Sequence, residues 1–359
     1  MPRIKQIPED FIVKEIFEKQ QGISKGEKGF YVWFTLRKKN WDLFRALKIL
    51  SKKLGVSIKR FGYAGVKDKR AVTYQKISVW NVPVDRLRGL KIRDIGLSDF
   101  EICRERINLG DLKGNRFEIT IRDIDDKERD RIEKNLETVK KQGFVNYFGS
   151  QRFGMRNNTH LVGKAVLKNN LKEAVWIYLT KDGEEKEGTR KFRENLRKTK
   201  DFSSALKECP KNMKNEIVLM NHLIKKPNDY AGALRKLPKK FRRMFVHAYQ
   251  SYLWNEIAKK SDEKTLPLIG FRTDLNKYKS KRLIEKIIAK EGISAKDFLL
   301  KSMPELSSEG AERERIVFPE GLEWEFRKDE LNQGKTKCSL EFSIPKGSYA
   351  TVLLEELFK

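Results

Sequence analysis

Two short segments near the start, residues 10–16 (DFIVKEI) and 31–36 (YVWFTL), are dense in β-branched and aromatic side chains. That composition predicts strands. Residues 41–54 carry Leu43, Leu47, Leu50 and Leu54 at helical spacing, with Asn40 as the expected N-cap and Gly55 as the stop. Residues 75–80 and 116–122 (RFEITIR) alternate apolar and polar positions and predict two more strands. Residues 126–141 predict a helix that turns Ile132, Leu136 and Val139 inward and ends at Gly143. A glycine-rich loop, NYFGSQRFG, follows at 146–154.

Beyond that loop the pattern changes. From 159 to 301 it is almost wholly helical, with segments expected at 159–167, 171–180, 213–224, 239–260 and 281–291. Strand character returns at 337–344 (KCSLEFSI), where Leu340, Phe342 and Ile344 share one face. A turn at Pro345, Lys346 and Gly347 leads to a terminal helix that Ser348 is placed to cap. Strands, a helical stretch and strands again predict a discontinuous α+β domain around a mixed sheet, interrupted by a largely helical insert. The expected boundaries are 1–155 with 306–359 for the first and 156–305 for the second. A chain of 359 residues exceeds what one core commonly holds, which agrees with two domains.

Charge adds a partner. Lys and Arg number 78 against 50 for Asp and Glu, a formal charge of +28. Heat adaptation multiplies charges of both signs and leaves such an imbalance unexplained. A polyanion relieves it, so nucleic acid is the expected partner. The runs RKFRENLRKTK at 190–200 and RKLPKKFRR at 235–243 concentrate the excess in the helical stretch, as a phosphate-contacting surface or as solvated faces. Three scattered Cys (103, 209, 338) fit a reducing compartment. With three His (160, 222, 247) they form no cluster of metal-ligand spacing, which disfavours a zinc-dependent deaminase. The start, MPRIKQIPEDF, lacks the apolar core of a signal peptide, and no stretch approaches a membrane span. A cytoplasmic, monomeric protein with no membrane partner is expected.

The most unusual stretch is FGYAGVKDKRAVTYQ at 61–75. Gly62 and Gly65 permit close backbone approach. Asp68 lies between Lys67 and Lys69, either as part of a polar turn or as a carboxylate that neighbouring cations ready for nucleophilic work. This stretch resembles the motif of the TruD family of tRNA pseudouridine synthases, through Gly65, Lys67, Asp68, Ala71, Thr73 and Gln75. Five further stretches resemble the same family in the same order: 4–16, 146–154, 247–258, 309–319 and 342–357.

The resemblance implies a pseudouridine synthase catalytic domain with a helical insert. It implies conversion of a tRNA uridine, typically uridine 13 in the D arm, to pseudouridine. Asp68 would be the nucleophile, attacking either C1′ of the ribose or C6 of the base. Isomerisation adds and removes no group, so no cofactor or metal is implied. The uridine must leave its stack, and Phe148 is the expected stacking platform for it. Asn146 is expected to bond the loop or the nucleotide, and Arg152 a phosphate or an acid of the fold. Lys5, then Lys67, are the expected cations beside Asp68. Glu9 and Asp10 are expected to shape the turn before the first strand. A non-catalytic RNA-binding module is the alternative if Asp68 is dispensable. An RNA methyltransferase would need a methyl-donor site that the chain does not display.

Overall fold

The computed structural model describes residues 2–17 and 30–359. The chain forms two compact units, one from residues 1–144 and 317–359 and one from residues 145–316. The expected boundaries, at 155/156 and 305/306, fall elsewhere. Asn146 already bonds the outgoing segment, its N–H donating to the Arg315 carbonyl at 2.7 Å, so the signature loop groups with the insert. Among the described residues no helix is long and apolar enough to cross a membrane.

The first unit is built on one mixed sheet. Its strands run in the spatial order Glu320–Lys328, Thr336–Pro345, Gly114–Ile124, Phe11–Ile16, Val72–Trp80, Tyr31–Lys39, Ile95–Cys103. Phe11–Ile16 runs parallel to Val72–Trp80, while the other neighbours in this order are antiparallel. Chain-terminal and chain-initial strands thus lie in one sheet, which makes the domain discontinuous. Alternation dictates one covered face. Val32, Phe34, Leu36, Ile77 and Val79 pack against Leu43, Leu47 and Leu50 of the helix Leu43–Leu54.

Asp42, not Asn40, caps that helix: its carboxylate accepts the Arg45 N–H at 3.0 Å. Asn40 instead takes a left-handed turn, φ 58°, a conformation asparagine tolerates. Gly55 and Gly143 end their helices at φ 66° and 70°. The terminal helix Ala350–Leu357 begins after Tyr349, and the buried Ser348 hydroxyl caps nothing. At its other end Asn135 donates to the Glu356 and Leu357 carbonyls, satisfying acceptors that a helix C-terminus leaves open.

The second unit centres on the helix Lys239–Ala258, whose Tyr249, Leu253, Trp254 and Ile257 are buried. Helix Thr159–Leu167 crosses it closely: a Cβ on Gly163 would lie 2.1 Å from the Phe245 carbonyl, so no larger residue fits there. The unit is not wholly helical, because Thr265–Leu268 pairs with Ala311–Glu314.

Candidate active site

Asp68 sits on the connection between the short strand Phe61–Tyr63 and Val72–Trp80. These two strands pair antiparallel, so the residues between them are held at both ends. Gly62 is required by close approach, since a Cβ there would meet the Ile107 carbonyl at 2.3 Å. Gly65 has room for a side chain, its nearest contact being the Lys67 ammonium at 3.4 Å. Its carbonyl accepts from the Gln75 amide at 3.2 Å, which ties the loop to the following strand.

The Asp68 carboxylate is about a third exposed, at 32%, and accepts a 2.5 Å charge-assisted hydrogen bond from the Lys5 ammonium. Lys5 adopts φ 60° just after the strand Arg3–Ile4, and its ammonium also lies 3.8 Å from the centre of the Phe11 ring. Ion pair and ring together fix that cation.

Lys67 goes elsewhere. Its ammonium lies 2.7 Å from the buried Glu15 carboxylate. Burial raises the Glu15 pKa, against the pull of Lys67 and of the Lys76 N–H. Lys67 therefore anchors the loop to the strand Phe11–Ile16 and leaves Asp68 to Lys5. Lys38 was not foreseen: its buried ammonium donates to the Asp68 backbone carbonyl at 2.9 Å. Asp10 does serve the turn, accepting the Ile7 N–H at 2.9 Å and the Arg122 Nε at 2.7 Å.

The other signature residues lie in the second unit, on the loop after Val145. Asn146 is buried and bonded through both ends of its amide. Its amide donates to the Glu314 carbonyl at 3.1 Å, and its Oδ1 accepts from Arg313 at 2.7 Å. These bonds make it a brace for the loop. The Phe148 N–H and carbonyl are both bonded by the Asn255 side chain, at 2.9 and 3.0 Å. Its ring meets Trp254 edge-on at 5.7 Å and lies 4.0 Å from the Arg313 guanidinium. Arg152 donates to the Ser251 hydroxyl at 3.0 Å. Ser251, Trp254 and Asn255 all belong to the long helix, so this helix shapes the loop.

The chain matches the family model for tRNA pseudouridine synthase D (TruD) over residues 2–264 and 257–357. It is 37% identical to the protein of Methanosarcina acetivorans named probable tRNA pseudouridine synthase D, covering 99% of this chain and 92% of that one. A Methanopyrus kandleri protein of the same name is also 37% identical, over 92% and 86%. The crystal structure of a Methanosarcina mazei protein designated tRNA pseudouridine synthase D (TruD) superposes with a TM-score of 0.82 at 35% identity, covering 99% and 93%. The chain belongs to the TruD family. TruD membership accounts for the order of the six stretches and for the α+β architecture with its mixed sheet.

Within this TruD chain the two basic runs differ. In 190–200, Arg193 is buried and bonds Glu185 and Glu216, Lys191 pairs with Glu187, Arg197 with Asp182 and Lys198 with Glu194. That run is largely neutralised within the fold. In 235–243, Arg242 is buried against Glu305 and Arg235 lies 3.5 Å from the same carboxylate. Lys236, Lys239, Lys240 and Arg243 are exposed and pair with no carboxylate among the described residues. The runs looked alike in sequence because the acids that quench the first come from other segments as well as its own.

Proposed function

We propose that this chain is a tRNA pseudouridine synthase that isomerises uridine 13 of the D arm, with Asp68 as the nucleophile. The observation that carries the reading is the partly exposed Asp68 carboxylate held by Lys5, on the loop that matches the TruD motif. The C1′–N1 bond breaks, the uracil turns, C1′ bonds to C5, the C5 proton leaves and N1 takes one up. Asp68 supplies the attacking carboxylate oxygen, which bonds either C1′ or C6 and is released once C1′ is joined to C5. Lys5 orients that oxygen and offsets its charge. Lys67 contributes by anchoring the loop, and Asn146 by bracing the other one.

Extrusion of the uridine costs a few kcal/mol. Phe148 offsets part of this by stacking, worth about 1–3 kcal/mol per base. Arg152 and the exposed cations Lys236, Lys239, Lys240 and Arg243 hold phosphates. The uridine 13 assignment rests on the family resemblance, and tRNA as substrate also accords with the +28 charge.

Site-mapped pseudouridine detection on tRNA treated with wild-type chain and with Asp68→Asn tests the proposal. The wild type should mark position 13 without a change of tRNA mass. The near-isosteric amide should abolish the mark while tRNA affinity stays within a few-fold. Full activity in Asp68→Asn rejects the mechanism, and a mark only at another position rejects the site.

A further inference from the structure

Lys38 stands where the strand pattern calls for a hydrophobic residue. It continues the row Val32, Phe34 and Leu36 that faces the helix Leu43–Leu54, and it is fully buried. A buried ammonium is costly unless it is paired. Among the described residues no carboxylate comes within ion-pairing distance of it. Burial brings its pKa down to about 8, against the opposing pull of Asp68 and Asp42 and with a smaller push from Lys67. Methionine or leucine would fill the same place without that cost. The ammonium does make one hydrogen bond, 2.9 Å to the backbone carbonyl of Asp68.

That carbonyl belongs to a stretch with no regular secondary structure between Tyr63 and Val72. The loop is tied at Gly65 by Gln75, at Lys67 by Glu15 and at Arg70 by the Gln6 carbonyl. At residue 68 itself, Lys5 holds the carboxylate and Lys38 the main chain. A backbone free to rotate about Asp68 would swing its carboxylate by an ångström or more, and a misplacement of about 1 Å can cost about 10²-fold in rate.

We propose that Lys38 is a positioning residue, whose buried ammonium fixes the Asp68 peptide and so aims the nucleophile from beneath. The inference rests on the assignment of Asp68 as nucleophile. Stability is sacrificed for placement, which is the balance expected where a core rule is broken next to a reactive group.

The test compares wild type, Lys38→Met and Asp68→Asn in melting curves, tRNA binding and single-turnover isomerisation at saturating enzyme. Lys38→Met should melt at the same temperature or higher, bind tRNA within a few-fold of wild type, and turn over about 10²-fold more slowly. A Lys38→Met rate within twofold of wild type overturns the proposal. So does a rate loss that merely follows a loss of tRNA binding. If Lys38→Met melts well below the wild type, Lys38→Gln decides. Its amide keeps a donor without the charge, and a Gln variant no faster than the Met variant overturns the assignment. Asp68→Asn separates the two levels: activity retained there rejects the nucleophile itself, whereas an inactive Asp68→Asn beside a fast Lys38→Met rejects only the role of Lys38.

Discussion

Truncating Phe148 should damage two properties at once, and a graded series can separate them. The ring is buried, 9% exposed, with Trp254 at its edge and the Arg313 guanidinium 4.0 Å from its centre. Phe→Ala at such a position costs about 3–5 kcal/mol. The lower end applies here, because the two Asn255 bonds hold the backbone whatever the side chain. In a unit of this size about 3 kcal/mol lowers the melting temperature by roughly 6–12 °C. Loss of base stacking adds about 1–3 kcal/mol to the barrier, a slowing of roughly 5- to 150-fold. Phe148→Leu conserves most of the apolar volume and should cost less than about 1.5 kcal/mol, yet it removes the π face. Phe148→Tyr keeps the face and should keep much of the turnover. The assay is single-turnover isomerisation well below each variant's melting temperature, beside the melting curves. Near-normal turnover by folded Phe148→Leu and Phe148→Ala would leave Phe148 a structural residue and refute the stacking role.

Binding to tRNA should weaken steeply with salt, and replacing Lys239, Lys240 and Arg243 with Gln should reduce the slope of log affinity against log salt by about 2–3. The paired control, Lys191→Gln with Lys198→Gln, should leave the slope unchanged; equal effects from the two sets would show that internal ion pairing does not decide which run meets phosphate. Acid should unfold the first unit through Asp329. Burial, the largest influence, would raise its pKa, but hydrogen bonds from Asn332, from the N–H groups of Asp123 and Leu331 and from Arg122 hold it at about 2. The unfolded value is about 3.9, so this stabilisation is complete above about pH 4 and is lost as the pH falls to 2. Melting temperature should drop across that window, and Asp329→Asn should start lower and drop less; an unchanged acid slope in the variant would reject this source.

Periodicity exposed elements whose burial is one-sided. The helix at Leu43–Leu54 and the strand Thr336–Pro345 were visible because one face is apolar and the other wet. Ile95–Cys103 and Glu320–Lys328 were not foreseen. Both lie at the edges of the sheet, and few of their residues are buried, so little apolar alternation marks them. The pair Thr265–Leu268 and Ala311–Glu314 is too short to carry a period, and its partners are distant in sequence. Capping failed at Asn40 for a different reason. Asn and Asp are both good caps, and the competing demand of a left-handed turn decided between them.

Motif and composition singled out the loop that carries Asp68, but they could not apportion its charges. Lys5, Lys67 and Lys38 are equal in a composition count. The fold gives the first to the Asp68 carboxylate, the second to Glu15 and the third to the Asp68 main chain. Two of these assignments depend on strands that meet only in the sheet, where Phe11–Ile16 and Val72–Trp80 run side by side. Lys38 did leave a local trace, a cation in phase with Val32, Phe34 and Leu36 on a strand whose other in-phase positions are apolar. A charged residue in phase with a buried row is a contradiction of pattern, and such contradictions concentrate where placement outweighs stability. The same logic applies to Arg193 and Arg242, basic residues in phase with the buried sides of their helices. Both are internal, and both are answered by carboxylates. Lys38 differs from them in facing a main-chain carbonyl instead of an acid, so its charge is offset less and its position is harder to explain by stability alone.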